Sequence, residues 1–418
     1  MFKSCKRFFF LSLALFLCSL VVYAAAALGS LPEHIFLAPE HVALLGDRGG
    51  RVSLSFSPWL EEESVPAAFQ GDAPVIENID REPLQGEMTV SLLGIPLRNV
   101  AVDLLRDVEV IPVGITVGIR IDATGLIVLG TGAVTTSDGS HLRPSEGLIK
   151  SGDILLKVNN TEIQDQNHFS SQIESTPPGS SVSLTLRRGE EIITVEVSPV
   201  LSSQGRNKLG LWIRDSTKGI GTITYYNPVN SRFAALGHGV VDVDTNQLIP
   251  VRDGQLYQAD IVAVKRGKKG SPGELVGNVD RDSPIGVITS NTSVGLFGTI
   301  KDGSRHLPGK TMGIALQGDV REGPAVILSN ISGREVRQYD IFIERVNRFA
   351  SDESKGMVIR ITDQELITRT NGIVQGMSGS PIIQNGRLVG AVTHVLVQNP
   401  LRGYGIFIEN MLRQERNQ

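Results

Sequence analysis

Cysteine is nearly absent from this 418-residue chain: Cys5 and Cys18 are its only two, both within the first 20 residues. The rest therefore has no disulfide framework and no thiolate-ligated metal site available to it. No H-E-x-x-H or comparable cluster occurs among its seven histidines, which disfavours metal-dependent hydrolysis. The net charge is −4, so nucleic acid is not the expected partner. A phosphate loop is missing too, because Gly219-Ile-Gly221 lies inside a predicted strand with no trailing Lys-Ser or Lys-Thr. Internal repeats and long helical patterns are also lacking, which weakens a purely structural envelope role.

What is present suits a strand- and turn-rich protein of two or three domains, with 45 glycines and 41 % hydrophobic residues. Residues 8–28 carry no charge and follow three positive ones, a stretch long enough to cross a bilayer. The flanking positives stay cytoplasmic, which puts the remainder outside. Residues 1–30 thus read as a signal-anchor, with Ala24-Ala25-Ala26-Ala27 as a possible cleavage site. Residues 31–95 read as a partly ordered spacer with short strands at 42–46 and 51–56.

Residues 96–200 alternate as a small β-domain. Strands are predicted at 117–121, 125–129, 182–187 and 192–197, with a helix near 167–175. Within it, Gly147-Leu-Ile-Lys-Ser-Gly-Asp153-Ile-Leu-Leu-Lys-Val-Asn159 resembles the strand-turn segment of PDZ domains in bacterial proteases. Such domains add an extended peptide, often a C-terminus, to a sheet edge. The loop Gly114-Ile115-Thr116-Val117-Gly118 is the candidate for holding its carboxylate.

Residues 201–418 show short strands and turns, predicted at 218–225, 261–265, 285–289, 295–300 and 325–328, with a closing helix at 408–414. That spacing suggests an all-β barrel or sandwich. Near its end stands Gly376-Met377-Ser378-Gly379-Ser380-Pro381, followed by a hairpin through Asn385-Gly386. A serine that attacks a carbonyl needs a tight turn with N–H groups free for the developing oxyanion. Gly376 lets the main chain approach substrate without a Cβ, so Gly376 and Ser378 are the expected oxyanion donors. The run resembles the nucleophile segment of chymotrypsin-like serine proteases, with Ser378 as nucleophile and Ser380 ranked second.

Three histidines fall in this region. His238, set between glycines after an apolar run, is the expected base. His306 lies in a polar loop and reads as solvated. His394 ends the hairpin strand after the nucleophile, which in chymotrypsin-like enzymes lines the substrate cleft, so Thr393 and His394 are assigned a specificity role. Asp363, closing the apolar strand 357–362, is the expected orienting carboxylate. Asp242 and Asp244 are rivals, placed close to His238 in sequence.

Four features follow in one order: the apolar N-terminus, the PDZ-like domain, Leu236-Gly-His238-Gly-Val-Val-Asp242, and Gly376-Met-Ser378-Gly-Ser-Pro381 with its hairpin. Together they resemble the stage IV sporulation protein B serine peptidases of endospore-forming bacteria. The resemblance places the family's triad on His238, Asp363 and Ser378, with no metal or other cofactor. It implies a mainly β protein with a membrane segment, a PDZ-like domain and a chymotrypsin-like β-barrel peptidase domain. It further implies export across the forespore inner membrane into the intermembrane space, with initial membrane anchoring. There such a peptidase cleaves itself and a membrane-bound regulatory protein, which releases an intramembrane protease and lets a late mother-cell sigma factor be activated. An inactive peptide-binding scaffold at the membrane is the alternative reading.

Overall fold

A computed structural model describes residues 34–37, 52–58, 85–92, 95–104, 108–300, 307, 309–348 and 350–416. The expected signal-anchor at 1–30, the strand at 42–46 and His306 lie outside these residues. The chain divides into two compact units. In the first, strands β1 (His34–Leu37), β2 (Val52–Pro58), β3 (Gln85–Leu92) and β4 (Ile95–Leu104) form one sheet in the order β1-β4-β3-β2. Residues 95–104 thus pair with the spacer rather than with the PDZ-like domain expected to begin at 96. The reason lies in the register: Met88 faces Val100 and Gly86 faces Val102, and both valines are buried.

The second unit holds two barrels and a smaller domain. Strand β5 (Thr116–Thr131) runs antiparallel to β9 (Leu211–Asn227) through almost its whole length. The two strands expected at 117–121 and 125–129 are one strand, because Gly125 at φ +81° absorbs an irregularity without breaking it. With β10 (Arg232–Ala235), β11 (Val251–Lys265), β12 (Glu274–Thr292) and β13 (Gly295–Thr299), they close a ring in the order β5-β11-β12-β13-β10-β9. Ile121, Ile223, Phe233, Leu256 and Leu296 fill its interior.

A second closed barrel runs β14 (Gly323–Ser329), β15 (Arg337–Val346), β16 (Met357–Ile361), β19 (Arg402–Phe407), β18 (Arg387–Val395) and β17 (Pro381–Gln384). Helix α2 (Gln364–Thr370) leaves β16, and α3 (Ile408–Arg416) follows β19 directly. Closing each barrel pairs its first strand with its last, so short alternating strands suffice to bury a core.

The smaller domain sits at the tip of the β5–β9 pair. The last paired residues there are Thr131 and Leu211, and the Gly132 N–H donates to the Gly210 carbonyl at 2.7 Å. Between them fold β6 (Ile154–Val158), helix α1 (Gln166–Glu174), β7 (Val182–Arg188) and β8 (Glu191–Val197). The alternating burial along β7 places Val182, Leu184 and Leu186 in a core with Leu155, Phe169 and Ile173. Asp165 caps α1 by accepting from the His168 N–H at 2.7 Å.

Candidate active site

The turn 376–380 docks on the first barrel through Thr222 of β9. Thr222 donates its N–H to the Ser378 carbonyl (2.9 Å) and its hydroxyl to the Gly376 carbonyl (2.7 Å). Gly379 has φ +96°, and a Cβ there would lie 2.0 Å from the Thr222 carbonyl oxygen. Only glycine fits that contact, which explains the motif in steric terms. The N–H groups of Met377, Gly379 and Ser380 donate to Val374, Val392 and Met377. Those of Gly376 and Ser378 donate to no described residue. Ser378 is half-buried, whereas Ser380 is fully buried and its hydroxyl has no partner among the described residues.

His238 leaves β10 through two consecutive left-handed residues, Leu236 at φ +71° and Gly237 at φ +70°. A non-glycine residue held there costs about 1–2 kcal/mol, so the turn is over-determined by its surroundings. The ring Nδ1 lies 2.9 Å from the Gly239 carbonyl oxygen. A carbonyl only accepts, so Nδ1 carries the proton and Nε2 keeps its lone pair. His394 lies against this ring, with centroids 4.5 Å apart and planes tilted by 33°. Burial pushes the His238 imidazole below its ordinary value. Burial first, then the neighbouring His238, push His394 down to about 4, against an opposing pull from Asp352.

Ser378 Oγ donates to the Thr393 carbonyl at 2.6 Å, one residue before His394. Thr393 is itself buried and bonds the Ser354 carbonyl at 2.7 Å. Ser378, His238, Thr393 and His394 therefore converge. Asp363 does not join them. It lies beyond the far end of β16, where its carboxylate caps α2 by accepting from the Leu366 N–H at 2.8 Å. Ser354, beside Thr393, lies before the near end of the same strand, and five residues of strand span roughly 16 Å. The Gly239 carbonyl holds the position on Nδ1 expected for that carboxylate. Asp242 and Asp244 are engaged by Arg214.

Residues 114–118 do not form a carboxylate loop in this structure. The Gly114 N–H donates to the Ile223 carbonyl, the Ile115 carbonyl accepts from Ile223, and the Thr116 N–H goes to the Asn330 side chain at 2.5 Å. These groups are spent on barrel pairing and all but Ile115 are buried. A groove lies elsewhere, a cavity of about 580 Å³ between α1 and the start of β9. Phe169, Ile173, Leu209 and Leu211 line it, and Trp212 beside them is 65 % exposed. Over residues 211–221, β9 pairs with β5 on one edge and with no described strand on the other. An unpaired strand edge beside a helix can accept an added strand. The sequence signal was Lys208-Leu-Gly210-Leu-Trp212, a glycine turn leading into an alternating strand.

Residues 205–412 match the family model of the SpoIVB peptidase S55, and residues 138–198 match that of the PDZ domain. None of the curated proteins matches the chain. Among solved structures, the active form of the Rv3671c protease from M. tuberculosis is 17 % identical, over 47 % of this chain and 73 % of that one, with a TM-score of 0.30. Its inactive form is 15 % identical over 47 % and 83 %, with a TM-score of 0.28. The PDZ domain of the SdrC-like protein from Listeria monocytogenes is 16 % identical over 22 % and 90 %, with a TM-score of 0.18. The chain belongs to the SpoIVB peptidase S55 family and is a serine peptidase with a PDZ domain ahead of its peptidase domain.

Proposed function

We propose that this protein is an endopeptidase in which Ser378 is the nucleophile, His238 the general base, and the N–H groups of Gly376 and Ser378 the oxyanion donors. The observation that carries this reading is the turn 376–380: its Gly376 and Ser378 N–H groups have no described partner, and its half-buried hydroxyl bonds Thr393, the residue before the His394 that packs on His238. Ser378 rotates about χ1, exchanging the Thr393 carbonyl for His238 Nε2. As Oγ attacks the scissile carbonyl carbon, its proton passes to Nε2, and the carbonyl electron pair collects on the oxyanion. His238 then protonates the leaving amine. Water attacks the acyl-enzyme by the same route, and Ser378 regains its proton. The Gly239 carbonyl fixes the tautomer throughout. The irregularity of β18 at Thr393 and His394, where His394 is exposed, takes the substrate backbone.

The narrower role follows from the family resemblance. The chain is an exported sporulation peptidase, anchored first through residues 1–30, that cleaves itself and the extracytoplasmic part of a membrane-bound regulator. The groove at β9 and α1 holds peptide termini for those cuts. The test expresses residues 29–418 as wild type and Ser378→Ala, follows N-terminal fragments, and adds a fluorophosphonate. Self-trimming and labelling in the wild type alone support the reading. Intact, unlabelled wild type, or identical trimming of both proteins, removes its support.

A further inference from the structure

The geometry points to Asn291 as a positioning residue for His238, acting through the peptide group between Gly239 and Val240. The inference rests on the reading of His238 as the base. The Gly239 carbonyl that accepts from Nδ1 and the Val240 N–H belong to one planar peptide unit. Fixing the N–H therefore fixes the direction of the carbonyl. Asn291 Oδ1 accepts that N–H at 2.8 Å. Its Nδ2 donates to the Val240 carbonyl at 2.7 Å and to the Ile249 carbonyl at 3.0 Å. Three directional bonds from one short amide thus clamp both sides of Val240 to the base of the loop that follows His238.

The far end of that loop is braced independently. The Asp242 side chain is fully buried, which is costly for a carboxylate unless it is paired and hydrogen-bonded. Its Oδ1 accepts from the N–H groups of Asp244 and Thr245, both at 3.0 Å, and Arg214 Nη1 donates to Oδ2. Arg214 Nη2 reaches Asp244 at 2.8 Å. Two register shifts in the β5–β9 pairing flank Arg214, and such bulges re-aim side chains. Of the two braces on this loop, Asn291 acts at Val240, two residues from His238, and Arg214 at Asp242, four residues away. A serine protease needs its histidine held in one tautomer, and here a neutral amide acting through one peptide plane does what a carboxylate does by direct contact.

The first measurement needs no variant. In the full chain labelled with 15N-histidine, His238 at neutral pH should show the Nδ1–H tautomer, and an Nε2–H tautomer overturns the inference. The second compares fluorophosphonate labelling of wild type, Asn291→Ala and Asn291→Asp, each scaled to its folded fraction by near-UV circular dichroism. Asn291→Ala should label slower by about tenfold or more, and its His238 should show mixed tautomers. Asn291→Asp, which keeps the acceptor for Val240, should recover part of the rate. Wild-type labelling by folded Asn291→Ala, or loss that only tracks unfolding, overturns the inference. Failure of the wild type itself to label defeats the reading of the site, and this inference with it.

Discussion

Gly376 and Gly379 adopt φ +101° and +96°, and those torsions decide which of two neighbouring serines can react. Ser378 is half-buried, while Ser380 is fully buried with a hydroxyl that has no partner among the described residues. Ser378→Ala should lower hydrolysis and labelling by at least about a thousandfold. Ser380→Ala removes an unsatisfied buried hydroxyl and should leave both activity and stability within about 1 kcal/mol of wild type. Asp363 is separable by chemistry. Asparagine caps a helix as well as aspartate, so Asp363→Asn should keep its stability, whereas Asp363→Ala should lose about 1 kcal/mol in denaturant unfolding. Loss of labelling in folded Asp363→Asn would instead make the carboxylate part of the catalytic set. His394 supplies a pH signature. Its native value, about 4, lies below the ordinary 6.5, so the folded protein binds that proton less readily than the unfolded chain. Its contribution to stability is full above pH 6.5 and is lost as the pH falls from 6.5 towards 4. His238, Asp352 and Lys355 surround it, and His238 shifts in the same direction. Denaturant midpoints should therefore fall over that window, and His394→Gln should flatten the decline in part.

Among the elements, α3 ties the last turn of the chain to the first barrel. Buried Glu415 accepts from the Tyr225 hydroxyl at 2.7 Å and from Asn230 Nδ2 at 2.9 Å, and Arg232 bonds the Glu415 carbonyl. Burial, then the Glu415 charge, push the Tyr225 hydroxyl well above its ordinary value, so it stays a donor. Glu415→Ala strands that hydroxyl and should cost about 2–4 kcal/mol in thermal or denaturant unfolding. Glu415→Gln keeps an acceptor and should cost less. The strand following Tyr225 and Asn227 is β10, which delivers His238, so the helix also steadies the base. Sequence periodicity made α3 and most barrel strands visible, because alternation and turn residues are local signals. The turn at Ser378 was visible for the same reason: its glycines meet a local steric demand. The partner of His238 was not. Aspartate ending a strand looks alike whether it caps a helix or orients an imidazole, and a backbone carbonyl leaves no mark in the sequence. Asn291, 53 residues after His238, was equally silent.

At the scale of the molecule, the long β5–β9 pair shows why domain boundaries drawn from composition miss the architecture. Residues 116–123 look like the start of a small β-domain, yet they pair with β9 and β11 and close the first barrel. Deleting residues 96–200 removes that strand, leaves edges unpaired on both sides, and should abolish folding and labelling together. A narrower excision behaves differently. Thr131 and Leu211 are direct partners, and Gly132 already touches Gly210, so residues 133–209 can be replaced by a short turn without stretching the pair. Closing a shorter loop is also entropically favourable. Leu126 and Val128 lose their partners in the smaller core, so some stability is lost with them. The excised protein should still fold, keep Arg214 on Asp242, and label at Ser378 at a rate close to that of the full chain. Its cutting of long polypeptides should fall more than its cutting of short peptide amides, because only the former reach the groove. Equal losses on both would mean that the groove serves the fold of the barrels rather than the choice of substrate.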